Sequence, residues 1–167
     1  MNKMEEVMID KLVLHICAGQ MGPRLENAKR VLNILTERKP IETKAKVKLP
    51  KWGLRPGLSI GAKVTLRGTG AKDFLKKALT AKSFELNKKS FDKTGNFAFG
   101  IKEYIDIEGT KYDPKIGIFG LDVMINLKKR GQRVKDRRLM KNKIGINAKV
   151  NKDEAIEFAK TLGVNVV

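Results

Sequence analysis

Apolar and polar positions alternate most regularly on either side of the loop KWGLRPG, residues 51–57. Before it, Ile41, Thr43, Ala45, Val47 and Leu49 alternate with Glu42, Lys44, Lys46 and Lys48. After it, Leu58, Ile60, Ala62, Val64 and Leu66 alternate with Ser59, Gly61, Lys63, Thr65 and Arg67. A strand places successive side chains on opposite faces, so both runs predict strands with one apolar and one polar side. If the two share a sheet, the polar side is a cationic plate of Lys44, Lys46, Lys48, Lys63 and Arg67 against the single acid Glu42.

The rest of the chain reads in the same way. Residues 11–18, KLVLHICA, form a short apolar run that predicts a buried or half-buried strand, broken by Gly19 and Gly22. Pro23 suits the first turn of a helix, where its missing N–H costs nothing. Leu25, Ala28, Val31, Leu32 and Leu35 then follow at helical spacing until Pro40. Ala71, Phe74, Leu75, Ala78 and Leu79 mark a second amphipathic helix. Residues 83–96 read as a loop, 97–107 and 119–127 as strands, and 128–150 as a basic irregular arm. Asn151 and Glu154 have the spacing of a capping box. They open a helix with Ala155, Ile156, Ala159 and Leu162 inward, which Gly163 closes before a possible edge strand, VNVV. Amphipathic helices can cover only the apolar side of such a sheet. The expectation is an α+β layer whose other side stays open and basic.

Composition narrows the function. A single domain of 167 residues can bury roughly 70% of its unfolded surface, and neither a linker nor a repeat divides it. The net charge is +18, from 36 Lys+Arg against 18 Asp+Glu. Self-repulsion of that size calls for a polyanionic partner, with nucleic acid ahead of an anionic membrane surface. No apolar run approaches the ~18 residues of a membrane span. The N-terminal MNKMEEVMIDK carries acids and no apolar core of signal-peptide length, so secretion is not expected. The single cysteine, Cys17, excludes an internal disulfide and fits a reducing compartment.

Catalytic and metal chemistry find little support. One His and one Cys provide no metal-ligand spacing, and no cofactor is expected. His15 and Cys17 share a strand face, but a strand histidine with a satisfied ring is the better reading. GTGAKD at 68–73 lacks the Gly-Lys-Ser/Thr ending of a phosphate loop and predicts a tight strand-to-helix turn. The helix start behind it could still meet an RNA phosphate. Residues 128–143, KKRGQRVKDRRLMKNK, hold nine basic residues and one acid, which suits phosphate contacts that give affinity but little sequence reading. Trp52 is open to two readings, a ring folded onto the core or a platform for a base or ribose. Phe97 and Phe99 in GNFAFG have the spacing of an RNA-recognition aromatic pair, but they share a face with Ile101, which favours core packing.

TKAKVKLPKWGLRPGLSIGAKVTLRG, SFDKTGNFAFGIKEYIDI and KYDPKIGIFGLDV together resemble the universal large-subunit ribosomal protein L-five family, the 5S rRNA carriers. KDEAIEFAKTLGV resembles the archaeal and eukaryotic branch, called L-eleven in eukaryotes. The resemblance implies a ferredoxin-like or RRM-like antiparallel sheet with helices on one face, and a ribosomal rather than catalytic role in the cytoplasm. It implies binding to 5S rRNA and large-subunit rRNA in the central protuberance, beside a neighbouring 5S-binding protein. It also implies a loop at 48–57 reaching toward the P-site tRNA, with Lys48, Lys51, Trp52 and Arg55 as contacts, and a bridge to a small-subunit head protein. Carried over position by position, the family's rRNA contacts fall at His15 (commonly Asn), Arg38 (commonly Gln), Trp52 (usually Phe) and Thr65 (retained). The basic positions expected to join them are Lys44, Lys46, Lys63, Arg67, Lys128, Lys129, Arg130, Arg133, Arg137 and Arg138. Two readings from other classes are an RNA-modifying enzyme using Cys17 or His15, and an extraribosomal regulator binding protein partners on the same basic surface.

Overall fold

The computed structural model describes residues 4–167; residues 1–3, at the head of the acid-bearing N-terminal stretch, lie outside the described residues. Five strands form the main sheet: β1 (Val7–Cys17), β2 (Ile41–Lys44), β3 (Ser59–Leu66), β5 (Phe97–Ile101) and β6 (Leu121–Lys129), in the order β2-β3-β1-β6-β5. A short β4 (Glu85–Leu86) pairs in parallel with β7 (Asn165–Val166). The helices are α1 (Pro23–Thr36), α2 (Thr69–Ala81), a single turn α3 (Arg133–Asp136) and α4 (Lys152–Thr161). Neighbouring strands of the main sheet run antiparallel, and β1 lies between β3 and β6. Each of those flanking strands is reached from its predecessor through helical or loop segments. This is the connectivity of a ferredoxin-like α+β fold, with β5 added at one edge. Contacts divide the chain into two compact units, and the division passes through β1, β3, β5 and β6.

The unit built from Val13–Thr65 and Gly100–Val123 contains α1. Gly22 caps the helix at φ 124°, Pro23 occupies its first turn, and Glu37 ends it in the left-handed region at φ 53°. Leu25, Ala28, Val31 and Leu32 are buried, as are Leu14 and Ile16 of β1 and Ala62 and Val64 of β3. Each such leucine, isoleucine or valine contributes about 1.5–3 kcal/mol when taken out of water. The Lys29 ammonium of α1 donates to the Glu42 carboxylate of β2. Tyr104 is fully buried, and its hydroxyl finds no hydrogen-bond partner among the described residues.

Here the strand pattern of 41–49 departs from expectation. Ile41 pairs with Lys63, Glu42 with Ala62 and Thr43 with Gly61. Directly paired residues share a face. Ile41 and Thr43 therefore stand on the Lys63 side, which is open, and Ile41 is 65% exposed. Glu42 stands on the buried side, where Lys29 meets it. A register irregularity between Thr43 and Lys44 ends the strand, so Lys46 and Lys48 lie in the loop rather than on a plate. Alternation alone could not have shown which side was inward, because the choice is made by the partner strand.

The other unit comprises the described residues up to Leu12 with Leu66–Phe99 and Met124–Val167. In α2, Ala71, Phe74, Leu75, Ala78 and Leu79 are buried, matching the predicted stripe. Gly68, at φ 67°, makes the expected tight turn into it. The Glu154 carboxylate accepts from the Asn151 N–H at 3.1 Å, completing the capping box of α4. Residues 83–96 are more ordered than a loop, because the C-terminal tail supplies a strand partner. Lys88 N–H donates to the Val167 carbonyl at 2.8 Å. Phe91 stacks on Phe97 at 5.1 Å between ring centres, and Phe97 and Phe99 are core residues. The basic arm is shorter than expected, since Lys128 and Lys129 belong to β6. Beyond them, Asn142 N–H donates to the Val134 carbonyl at 3.2 Å and closes a loop.

Candidate nucleic-acid interface

The loop after β2 is held by its own backbone. Ala45 N–H donates to the Leu58 carbonyl at 2.8 Å, and Gly57 N–H to the Ala45 carbonyl at 3.0 Å. Leu49 and Leu54 exchange both hydrogen bonds, at 3.0 and 3.1 Å. Pro50–Trp52 form one 3₁₀ turn, closed by Gly53 in the left-handed region at φ 65°. The tip is therefore a braced hairpin that presents Lys48, Lys51, Trp52 and Arg55 outward. Trp52 is 71% exposed, which removes the reading in which its ring folds onto the core. Val47 and Leu49 are also exposed. None of the basic residues Lys44, Lys46, Lys48, Lys51, Arg55 and Lys63 is in an ion pair among the described residues. The sequence has no acid from residue 43 to 72 that could neutralise them.

The open side of the same unit carries His15, Thr43, Lys63, Thr65 and Asp122. His15 Nε2 lies 3.3 Å from Thr43 Oγ1, and its Nδ1 faces the Asp122 carboxylate at 3.7 Å. A Cβ at Gly61 would lie 2.7 Å from the Ile16 carbonyl and 2.8 Å from Thr43 Oγ1, so only glycine permits this approach. Both ring nitrogens of His15 face groups other than the Cys17 thiol, which sits 3.9 Å from the Ile60 carbonyl. Lys63 and Thr65 are exposed on β3, and Arg38 is exposed just past the end of α1. No cluster of metal-ligating side chains occurs among the described residues.

The basic residues of the other unit are placed differently. Asp10 of β1 accepts from Lys128 at 2.7 Å and lies 3.5 Å from Arg67. Arg130 meets Glu6 at 2.8 Å. Lys129 is turned inward, with a side chain 8% exposed and its ammonium 2.7 Å from Glu154, so it cannot stand on an RNA-facing surface. Burial pushes the Glu154 carboxyl upward, but the Lys129 hydrogen bond, the Asn151 N–H and the Lys129 charge outweigh it and hold the group below its ordinary value. Arg133, Arg137 and Arg138 are exposed, and Arg137 Nε donates to the Met140 carbonyl at 2.8 Å. The acids that answer this basic stretch, Glu6 just before β1, Asp10 in β1 and Glu154 in α4, are not its neighbours in sequence. The signal available beforehand was an acid, Asp10, beside an apolar strand.

Comparison with known proteins decides what this arrangement belongs to. Residues 2–55 match the family model described as ribosomal protein L5, and residues 59–158 match the model of the C-terminus of the same ribosomal family. The chain belongs to the ribosomal protein L5 family. The large ribosomal subunit protein uL5 of Thermoplasma volcanium is 48% identical over 100% of this chain and 99% of its own length. The uL5 of Archaeoglobus fulgidus is 48% identical over 99% of this chain and 92% of its own. That of Nanoarchaeum equitans is 45% identical over 98% of each. Proteins of this family are structural rather than enzymatic, which removes the reading of Cys17 and His15 as catalytic groups.

Proposed function

We propose that this chain, a structural constituent of the large ribosomal subunit, binds 5S rRNA and large-subunit rRNA in the central protuberance. The braced 48–57 loop reaches toward the P-site tRNA. A neighbouring 5S-binding protein and a small-subunit head protein are its protein partners in this reading. The observation that carries it is the hairpin itself, on which Lys48, Lys51 and Arg55 stand without ion-pair partners among the described residues, beside an exposed Trp52. Unpaired ammonium and guanidinium groups on a stiff backbone suit phosphates, because little side-chain neutralisation must be undone on binding. An exposed indole suits a base or ribose face. The open side with His15, Lys63 and Thr65, together with Arg38, supplies further rRNA contacts, joined by Arg133, Arg137 and Arg138.

Crosslinking with mass spectrometry on intact ribosomes tests this. Adducts from Lys48, Lys51 or Trp52 to tRNA, and from Lys44, Lys46, Lys63 or Arg67 to 5S rRNA, are expected. Adducts from these residues to protein alone would contradict the reading.

A further inference from the structure

A cavity of about 820 Å³ opens in the unit that contains α4, between the 94–96 turn, the end of β6 and residues 132–150. Its volume lies within the roughly 300–1,000 Å³ of small-molecule sites. Lys135, Lys141, Lys143 and Lys149 line it, and none of the four is in an ion pair among the described residues. The wall also carries an ordered amide. The Asp92 carboxylate accepts from Lys93 N–H at 2.6 Å, Thr94 hydroxyl at 2.6 Å and the Asn96 amide at 3.4 Å. Asn96 Nδ2 also donates to Thr94 Oγ1 at 2.9 Å. Asn96 Oδ1 then accepts from Asn126 Nδ2 at 2.8 Å. The turn is locked from behind, since a Cβ at Gly95 would lie 2.5 Å from Val150. This chain of bonds fixes the Asn126 amide, which makes no other side-chain hydrogen bond among the described residues. Leu127, Ile144 and Val150 supply apolar lining.

A ligand for this cavity must bring anionic charge for the lysines, an apolar flat body, and a donor beside an acceptor for Asn126. A nucleotide has all three, and the amide of Asn pairs bidentately with the N6 and N7 of adenine. Phosphates along an intact duplex could reach the lysines, but stacked bases could not enter the cavity. Single-stranded RNA can splay a base out of its stack. We infer that this cavity receives one unstacked adenine nucleotide of ribosomal RNA, with Asn126 reading the base and Lys135, Lys141, Lys143 and Lys149 around its phosphates. The inference rests on the rRNA-binding reading above and names a second, base-reading contact for it.

Chemical probing of 5S and large-subunit rRNA bound to the full chain, to Asn126→Leu and to Lys141→Gln/Lys143→Gln tests it. The expected result is one unpaired adenine protected by the wild type and released by Asn126→Leu, with the rest of the footprint intact. Affinity should fall about 5- to 150-fold, the range of one bidentate base contact. Lys141→Gln/Lys143→Gln, at exposed positions, should weaken the same protection. A full footprint in which no nucleotide depends on Asn126 overturns the inference and leaves rRNA binding standing. No footprint at all overturns both. As a second measurement, adenosine monophosphate should shift the side-chain amide resonances of Asn96 and Asn126. Equal shifts with inorganic phosphate or with polyglutamate would overturn base reading.

Discussion

The 45–58 loop and the Lys128–Arg130 run look alike in charge, yet the fold treats them oppositely. In the loop, Lys46, Lys48, Lys51 and Arg55 stand on a backbone-braced hairpin without ion pairs among the described residues. In the other stretch, Lys128, Lys129 and Arg130 are answered by Asp10, Glu154 and Glu6. The difference separates charge counted from charge available. A lysine already paired with a carboxylate must give up that partner before it releases a counterion from RNA. It then adds little to affinity.

The comparison breaks most strongly at Lys129. Glu154→Ala should destabilise the protein by about 2–3 kcal/mol, because it strands an inward-facing ammonium; the value sits below that of a fully buried pair since the carboxylate is partly exposed. Denaturant unfolding measures it, and a loss under about 1 kcal/mol would mean that Lys129 swings out to water. Asp10→Asn sharpens the comparison from the other side. Releasing Lys128 and Arg67 should raise rRNA affinity about tenfold at low salt and steepen the salt slope by about 1–2. Unchanged binding would show that those cations face no phosphate. Tyr104→Phe, away from both regions, should stabilise the chain by about 1 kcal/mol, because the buried hydroxyl it removes is unsatisfied. Thermal unfolding reads this directly.

Acid provides a further test. Glu154 is held below its ordinary value, as are Glu42, chiefly by the Lys29 hydrogen bond, and Asp92, chiefly by the Thr94 hydroxyl. Carboxyls depressed by folding lend stability that is complete above their unfolded values near about 4 and is lost as pH falls through the folded ones. Unfolding midpoints should therefore hold steady down to about pH 5 and drop below it, less steeply in Glu154→Gln. A flat profile would contradict these contacts.

The sequence carried the local part of this picture. Pro23 and the Leu25–Leu32 spacing marked α1, Asn151 and Glu154 marked α4, and Gly68 marked the turn into α2. Alternation located β3 and the loop, and the quoted motifs pointed to the L5 family. The parts that stayed hidden depend on partners distant in sequence. Ile41 and Thr43 faced the open side because Lys63 and Gly61 did. Residues 85–86 became a strand because the C-terminal tail lay beside them. Lys129 turned inward because Glu154 met it. Trp52 could not be assigned until its ring was seen to be exposed on a turn braced by backbone bonds.

The most direct test of free versus paired charge is the salt dependence of 5S rRNA binding between about 50 and 200 mM. The wild type should lose about 10³–10⁵ in affinity over that range, as expected for roughly 6–10 phosphate contacts. Lys44→Ala/Lys46→Ala/Lys63→Ala, which removes free cations assigned to 5S rRNA, should flatten the slope by about 2–3, and Lys128→Ala/Arg130→Ala by less than about 1. Equal flattening by the two variants, or a wild-type affinity that does not change with salt, would contradict the account.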